Sequence, residues 1–305
     1  YVGFVVINLE MLEIVIDGIL GTHRVFSFVG PVYDFLIGTF EFLALGVLLA
    51  CVVFLVRRNV IALARFKSKE MGGWPSLDAN IILVAEIVLM FAFLSMNATD
   101  AIAMERGLDH YVVAGSFPIS TYLSPLYGGL SDVGLVFAER GFWWLHIAGV
   151  LAFLVYVPYS KHFHILLAFP NTYYSNLDES SKLNNMGSVK KEVDLMMDPT
   201  ADPYATPEPL PEGQVEDPPC FGVKDGTDLN WKQIMEAYSC TECGRCTSVC
   251  PASNTGKTLS PRKIMMDCRD RMDEIGGNRD ANSGEFKEDG KKLLGDFISE
   301  EEIWA

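Results

Sequence analysis

Four cysteines carry the most specific chemistry in this sequence. Cys240, Cys243, Cys246 and Cys250 stand in the run C-T-E-C-G-R-C-T-S-V-C-P over residues 240–251, spaced C-x2-C-x2-C-x3-C-P. That spacing folds three thiolates round one corner of a cubane [4Fe–4S] cluster and sends the fourth, followed by proline, out of the loop. Gly244 lets backbone approach the inorganic sulfurs with no Cβ in the way. The alternatives are zinc and disulfides. Zinc sites use paired C-x2-C knuckles rather than four cysteines in one short loop. Disulfide frameworks belong to oxidising compartments and do not need this spacing. Of the other three cysteines, Cys51 lies in an apolar segment, Cys268 in an expected helix and Cys220 next to two prolines.

The histidines form the second group. There are five: His23, His110, His146, His162 and His164. A neutral imidazole inside a membrane bundle is a good axial haem ligand. His146 and His164 are eighteen positions apart. On one continuous helix that spacing returns to the same face, with a separation of about 27 Å. One helix would then hold two haems, one near each membrane surface. His162 would point away from that face, so His164 is the preferred ligand. A bis-histidine haem needs a second helix. His23 follows the first apolar segment at the same expected depth as His146, which makes these two a candidate pair. The partner of His164 is expected upstream of Tyr1. His110 reads as a loop residue.

The carboxylates are the third group. Glu10, Glu13 and Asp17 follow an i, i+3, i+7 pattern on one helix face, and Asp34 and Glu41 share a face of the next helix. An acid in mid-membrane costs on the order of 2–3 kcal/mol even on lenient insertion scales. Such groups either bond polar partners inside the bundle or serve a proton path or quinone contacts. Haems and clusters move electrons singly, whereas a quinone takes two electrons and two protons, so proton-carrying groups are expected with such cofactors.

These residues need apolar helices to position them. Half of the 305 residues are hydrophobic, and nearly all of the long apolar stretches precede residue 175, so the first part of the chain is expected to cross a membrane. Four spans are expected, at 1–20, 31–56, 79–96 and 141–169, the last ended by Pro170. Arg57, Arg58, Arg65, Lys67 and Lys69 crowd the connection between the second and third spans, whereas 98–140 is poor in basic residues. The positive-inside rule puts the 57–78 loop in the cytoplasm, and with it everything after the fourth span. The cysteine run thus falls on the reducing side of an inner membrane. The 98–140 stretch is expected to be an ordered outside loop with short helices. Residues 201–219 are rich in Pro, Glu and Asp and read as an extended linker. Asp228–Tyr238 reads as a helix leading into the cysteines, and Ser260 and Pro261 open another as N-cap and first residue. The net charge of −15 excludes nucleic acid as a partner.

The expected architecture is an all-α transmembrane helix bundle followed by a small α-helical ferredoxin-like [4Fe–4S] domain. The bundle is assigned to 1–173, an acidic proline-rich linker to 174–227, and the iron–sulfur domain to 228–305.

At the level of families, W-W-L-H at 143–146 with S-K-H-F-H at 160–164 resembles the last helix of the cytochrome b (gamma) subunit of respiratory nitrate reductase, whose two haem-ligating histidines map onto His146 and His164. The cysteine run, with S-P-R-K-I-M-M-D at 260–267, resembles membrane iron–sulfur oxidoreductases related to heterodisulfide reductase. Some of those connect electron-transfer flavoprotein to menaquinone. The resemblance implies a second cysteine run, introduced by a segment like I-S-E-E-E-I-W-A at 298–305, and often a further cysteine-rich domain. Neither lies within 1–305, so a longer protein with two clusters is expected. It further implies haem b, menaquinone as substrate, a soluble donor such as electron-transfer flavoprotein and additional respiratory subunits. The expected function is electron transfer from that donor to the quinone pool. Two alternatives stand beside it: a quinol-oxidising subunit that feeds a cytoplasmic reductase, and a non-redox membrane scaffold with a structural cluster.

Overall fold

The computed structural model describes residues 2–178, 186–200 and 221–305. The expected linker core at 201–219 and Cys220 lie outside the described residues. The chain divides into two compact units, Tyr1–His162 and Phe163–Ala305. Among the described residues the structure is helical, with no strands.

The first unit contains α1 (Val2–Leu20), α2 (Pro31–Leu55), α3 (Trp74–Glu105), the single turn α4 (Ser124–Tyr127) and α5 (Asp132–Tyr156). Proline opens α2, and Pro75 sits in the first turn of α3, where a missing N–H costs nothing. Ser131 caps α5 by accepting from the Gly134 N–H. Among the described residues three helical stretches are long and apolar enough to cross a membrane: Pro31–Val60, Trp74–Glu105 and Asp132–Tyr159. That is three rather than the four expected, because α1 carries three acids in its 19 residues.

α3 is the central helix and packs against both α2 and α5. Every residue from Ala92 to Asp100 is buried, polar ones included, so this stretch is enclosed all round. Ile14, Tyr33, Ile37, Phe40, Phe93, Leu94 and Ile147 form the core. Phe35, Phe42, Leu49, Val84, Phe91, Leu151 and Leu154 are exposed, as expected of helices whose solvent is lipid. Gly149 lets α5 approach α3 closely: a Cβ there would sit 2.6 Å from Leu89.

Two boundaries differ from expectation. Helix α3 runs through Glu105, so Asn97, Thr99 and Asp100 are helical rather than loop. The last span begins at Asp132 and ends at Tyr156, where Val157–Tyr159 tightens into a 3-10 turn at Pro158. Proline has no N–H for the ladder and clashes with the preceding turn. The span therefore does not run to 169, and His146 and His164 do not share one continuous helix.

The second unit contains α6 (His164–Tyr173), α7 (Gly187–Met197), α8 (Trp231–Tyr238), α9 (Arg245–Val249), α10 (Pro251–Asn254), α11 (Pro261–Ala281) and α12 (Glu300–Trp304). Helix α7 falls inside the stretch expected to be an extended linker. Asn230 and Gln233 form a capping box at α8. Ser260 caps α11 as the sequence leads one to expect, accepting from the Lys263 N–H. α8 and α9 pack on α11, and α6 packs on α8. Fully buried Arg271 on α11 donates to both oxygens of Asp225 at 2.7 Å, to Asp289 at 2.7 Å and to the Lys291 carbonyl at 2.8 Å. It thereby ties two separate segments, at 225 and at 289–291, to one helix.

Candidate metal centre and membrane site

The thiol loop lies between α8 and α10. Cys240 follows α8, Cys243 precedes the short helix α9, Cys246 lies in its first turn, and Cys250 is the extended residue before Pro251 opens α10. The chain curls by means of two left-handed residues, Glu242 at φ +55° and Gly244 at φ +72°. Left-handed backbone costs a non-glycine residue about 1–2 kcal/mol, and Glu242 is held there by its side chain. Its buried carboxylate accepts from the Arg269 guanidinium of α11 at 2.7 Å. Its own N–H donates to Cys240 Sγ at 3.4 Å. Cys243 and Cys246 are exposed, and Cys240 and Cys250 are half-buried. Burial pushes the Cys240 thiol up. None of the six described cysteines is in a disulfide. Cys268 sits half-buried on α11, its thiol also raised by burial. No three His, Cys, Asp or Glu side chains among the described residues converge as a single bound ion requires. The curled loop, its backbone N–H aimed at sulfur and its four undisulfided thiols fit an iron–sulfur cluster.

His146 is buried on α5. Its Nδ1–H donates to the Leu89 carbonyl at 3.0 Å, which fixes the tautomer and leaves Nε2 with the lone pair. His146 lines a small cavity of about 30 Å³ with Glu10, Met11, Ile14, Phe40, Ala44, Met90 and Phe93. A neutral imidazole with its Nε2 lone pair uncommitted is the donor type that a haem iron takes. His23 is placed differently. Val112 N–H donates to its Nδ1 at 3.0 Å, and its Nε2–H donates to Asp100 at 3.0 Å. Ligation by His23 would require Nε2 to leave Asp100. The expected His23–His146 pair is not formed. Their partners on α3, Asp100 and Leu89, are eleven residues apart, about 16 Å of helix rise. His164 is the half-buried first residue of α6, in the second unit. His162 stacks at 5.3 Å from Phe153, and His110 lies 5.9 Å from His23.

The carboxylates are mostly anchors. Glu13 accepts from the Phe26 N–H at 2.9 Å and the Tyr33 hydroxyl at 2.7 Å. Asp17 accepts from Thr22 and from the Arg24 and Val25 N–H groups. Asp34 accepts from the Gly115 N–H at 2.6 Å. Glu41, fully buried, accepts from Ile119 N–H, Ser120 N–H and Asn97. Four acids thus pin the connections 21–30 and 106–131 onto the helices. Glu10 makes no hydrogen bond or ion pair among the described residues. It also lines a second, polar cavity of about 50 Å³ with Glu13, Asp17, His23, Arg24, Asp100, Glu139, Arg140 and Trp143.

Several residues here escape the sequence reading. Arg24 is buried and donates to Asp100, Tyr33 and Asn97. Glu139 takes the Tyr111 hydroxyl and the Arg140 guanidinium, each at 3.0 Å. The one available signal was a charged residue, Asp100, continuing an apolar segment.

Three curated proteins are similar to this chain. A probable iron–sulfur-binding oxidoreductase, FadF, of Bacillus subtilis is 28% identical across all of this chain, which spans 42% of that protein. An EtfAB:quinone oxidoreductase of Syntrophomonas wolfei is 24% identical over 78% of this chain and 32% of its own length. A probable membrane-anchored ferredoxin of Chromohalobacter salexigens is 41% identical over 47 residues, 15% of this chain and 7% of its own. The chain thus spans less than half the length of the relatives it matches. No family model and no solved structure matches it. The chain is related to membrane iron–sulfur oxidoreductases.

Proposed function

We propose that this chain carries electrons between a soluble cytoplasmic donor, such as electron-transfer flavoprotein, and the quinone pool, reducing menaquinone. The observation that carries the reading is the thiol loop 240–250, clamped by Glu242 and Arg269, together with three helical stretches among the described residues that are apolar enough to span a membrane. The name of the Syntrophomonas relative, an EtfAB:quinone oxidoreductase, supports both the donor and the acceptor.

In this reading Cys240, Cys243 and Cys246 hold a [4Fe–4S] cluster. Cys250 serves a second cluster. His146 and His164 would hold b-type haem, and these groups would supply one-electron transfer between the donor and the membrane. The chain's own residues do the rest. Glu242 N–H, aimed at Cys240 Sγ, stabilises a thiolate. Leu89 holds the His146 tautomer. Glu13, Asp17, Asp34 and Glu41 fix the connections that close one end of the bundle. The basic residues Arg57, Arg58, Arg65, Lys67 and Lys69 support, by the positive-inside rule, a cytoplasmic cysteine run.

The test is a reduced-minus-oxidised spectrum of membranes containing the intact protein, followed by addition of reduced flavoprotein and a menaquinone analogue. A b-type band that is reduced by flavoprotein and reoxidised by quinone supports the reading. A spectrum without a haem or cluster contribution overturns it.

A further inference from the structure

We propose that the polar cavity at the end of the membrane unit closed by the 21–30 and 106–131 connections binds a quinone headgroup, and that Glu10 is the carboxyl that protonates it. The proposal rests on the quinone-linked reading above and adds a place and a residue to it.

Four features support it. The first is lining. The cavity combines an aromatic wall, Trp143, with a guanidinium, Arg140, that can donate to a quinone carbonyl. The second is shape. Trp143 lies hard against α1 at Gly18, where a Cβ would come 2.8 Å from the ring, so the glycine sets how close this wall stands. The third is position. Glu10 and Ile14, one helical turn apart, line both this cavity and the apolar cavity beside His146. A ring in the polar cavity is thus next to the candidate electron route, and Glu10 is on the shared wall.

The fourth is the state of the other acids. Glu13 and Asp17 accept from backbone N–H groups. Asp100 is locked between Arg24 and His23, and Glu139 between Arg140 and Tyr111. Protonating any of them would strand buried donors, at about 1–3 kcal/mol for each group left unsatisfied. A proton carrier has to change charge without dismantling its surroundings. Among the described carboxylates of this cavity, Glu10 alone makes no hydrogen bond or ion pair.

The step balances as follows. The quinone accepts two electrons from the chain's redox groups and two protons, forming two O–H bonds and no by-product. The Glu10 carboxylic acid gives a proton to a quinone oxygen. The resulting carboxylate takes a replacement from water entering at the loop end, and a second transfer completes the quinol.

Glu10→Gln in the intact membrane protein tests this. Iron content and the b-type band should stay at wild-type levels while quinone turnover falls by about 100-fold, the scale of a lost general acid. Redox-difference infrared spectra should lose one carboxyl C=O band, and Glu10→Asp should restore a shifted band with part of the turnover. If Glu10→Gln leaves both turnover and the infrared bands unchanged, the proposal is wrong and the quinone-linked reading stands. If the wild-type protein itself does not turn over quinone, the underlying reading fails.

Discussion

Arg269→Ala should loosen the thiol loop, and the size of the effect can be worked from the clamp. Glu242 has a side chain 2% exposed, and the Arg269 side chain is 18% exposed. Removing one partner of a fully buried pair costs about 3–5 kcal/mol. Arg269 is partly reached by water and also touches Asp270 at 3.0 Å, so the cost falls below that range, to about 2–3 kcal/mol. At about 1.4 kcal/mol per factor of ten, the open form of the loop rises by about 30- to 150-fold. Loss of the clamp also removes what holds Glu242 in its left-handed conformation and its N–H on Cys240. The assay is bleaching of the cluster absorbance by an iron chelator in the purified intact protein. Where opening and closing are fast relative to attack, the rate tracks the open population. Arg269→Lys keeps the charge without the fork and should fall between the two. Bleaching of Arg269→Ala at the wild-type rate, from a starting iron content equal to wild type, would refute the clamp.

Other outcomes follow from the same contacts. His146→Ala should remove a b-type spectral component while His162→Ala leaves the spectrum unchanged, and low-temperature difference spectra resolve the two. Glu41→Ala leaves the Ile119 and Ser120 N–H groups without their acceptor. It should destabilise the 106–131 connection by about 2–5 kcal/mol, seen as faster proteolysis there than in wild type. The Arg271 cluster predicts an acid limit for the second unit. Hydrogen bonds from Arg271 lower Asp289 from the ordinary 3.8 to about 2 and lower Asp225 as well. A depressed carboxyl stabilises the fold above its unfolded value and loses that contribution as pH falls through the folded one. Protection factors of the Gly226 and Leu293 amides, both bonded to Asp225 in the intact protein, should be flat down to about pH 4 and fall between about pH 4 and 2.

The apolar helices were legible because lipid-facing surface has to be apolar along its whole length, and α2, α3 and α5 are. The caps of α8 and α11 were legible because capping is local. What failed was whatever depends on distant partners. Asn97, Thr99 and Asp100 read as the start of a loop, since nothing nearby in sequence reveals that Arg24 and Glu41 satisfy Asn97 and that Arg24 and His23 satisfy Asp100. The contacts of His23 were hidden for the same reason: its two nitrogens meet residues 77 and 89 positions away. The acids of α1 and α2 were correctly noticed, yet their partners are backbone N–H groups of connections, which have no signature in residue type. The end of the last span was a different error. Pro158 carried the signal, and the apolar residues beyond it masked the break.

The Arg24–Asp100 bond has a consequence for how this protein is made. Arg24 emerges with the α1–α2 hairpin, and its acceptor arrives only when the far end of α3 has been synthesised. Until then a guanidinium sits at the membrane with Tyr33 and water for company. An Asp at a span centre carries an insertion cost of about 2.5–3.5 kcal/mol, relieved here near the helix end by the waiting cation. The pair therefore forms only once α3 has joined α1 and α2, and a bundle without its third helix leaves Arg24 without a carboxylate partner.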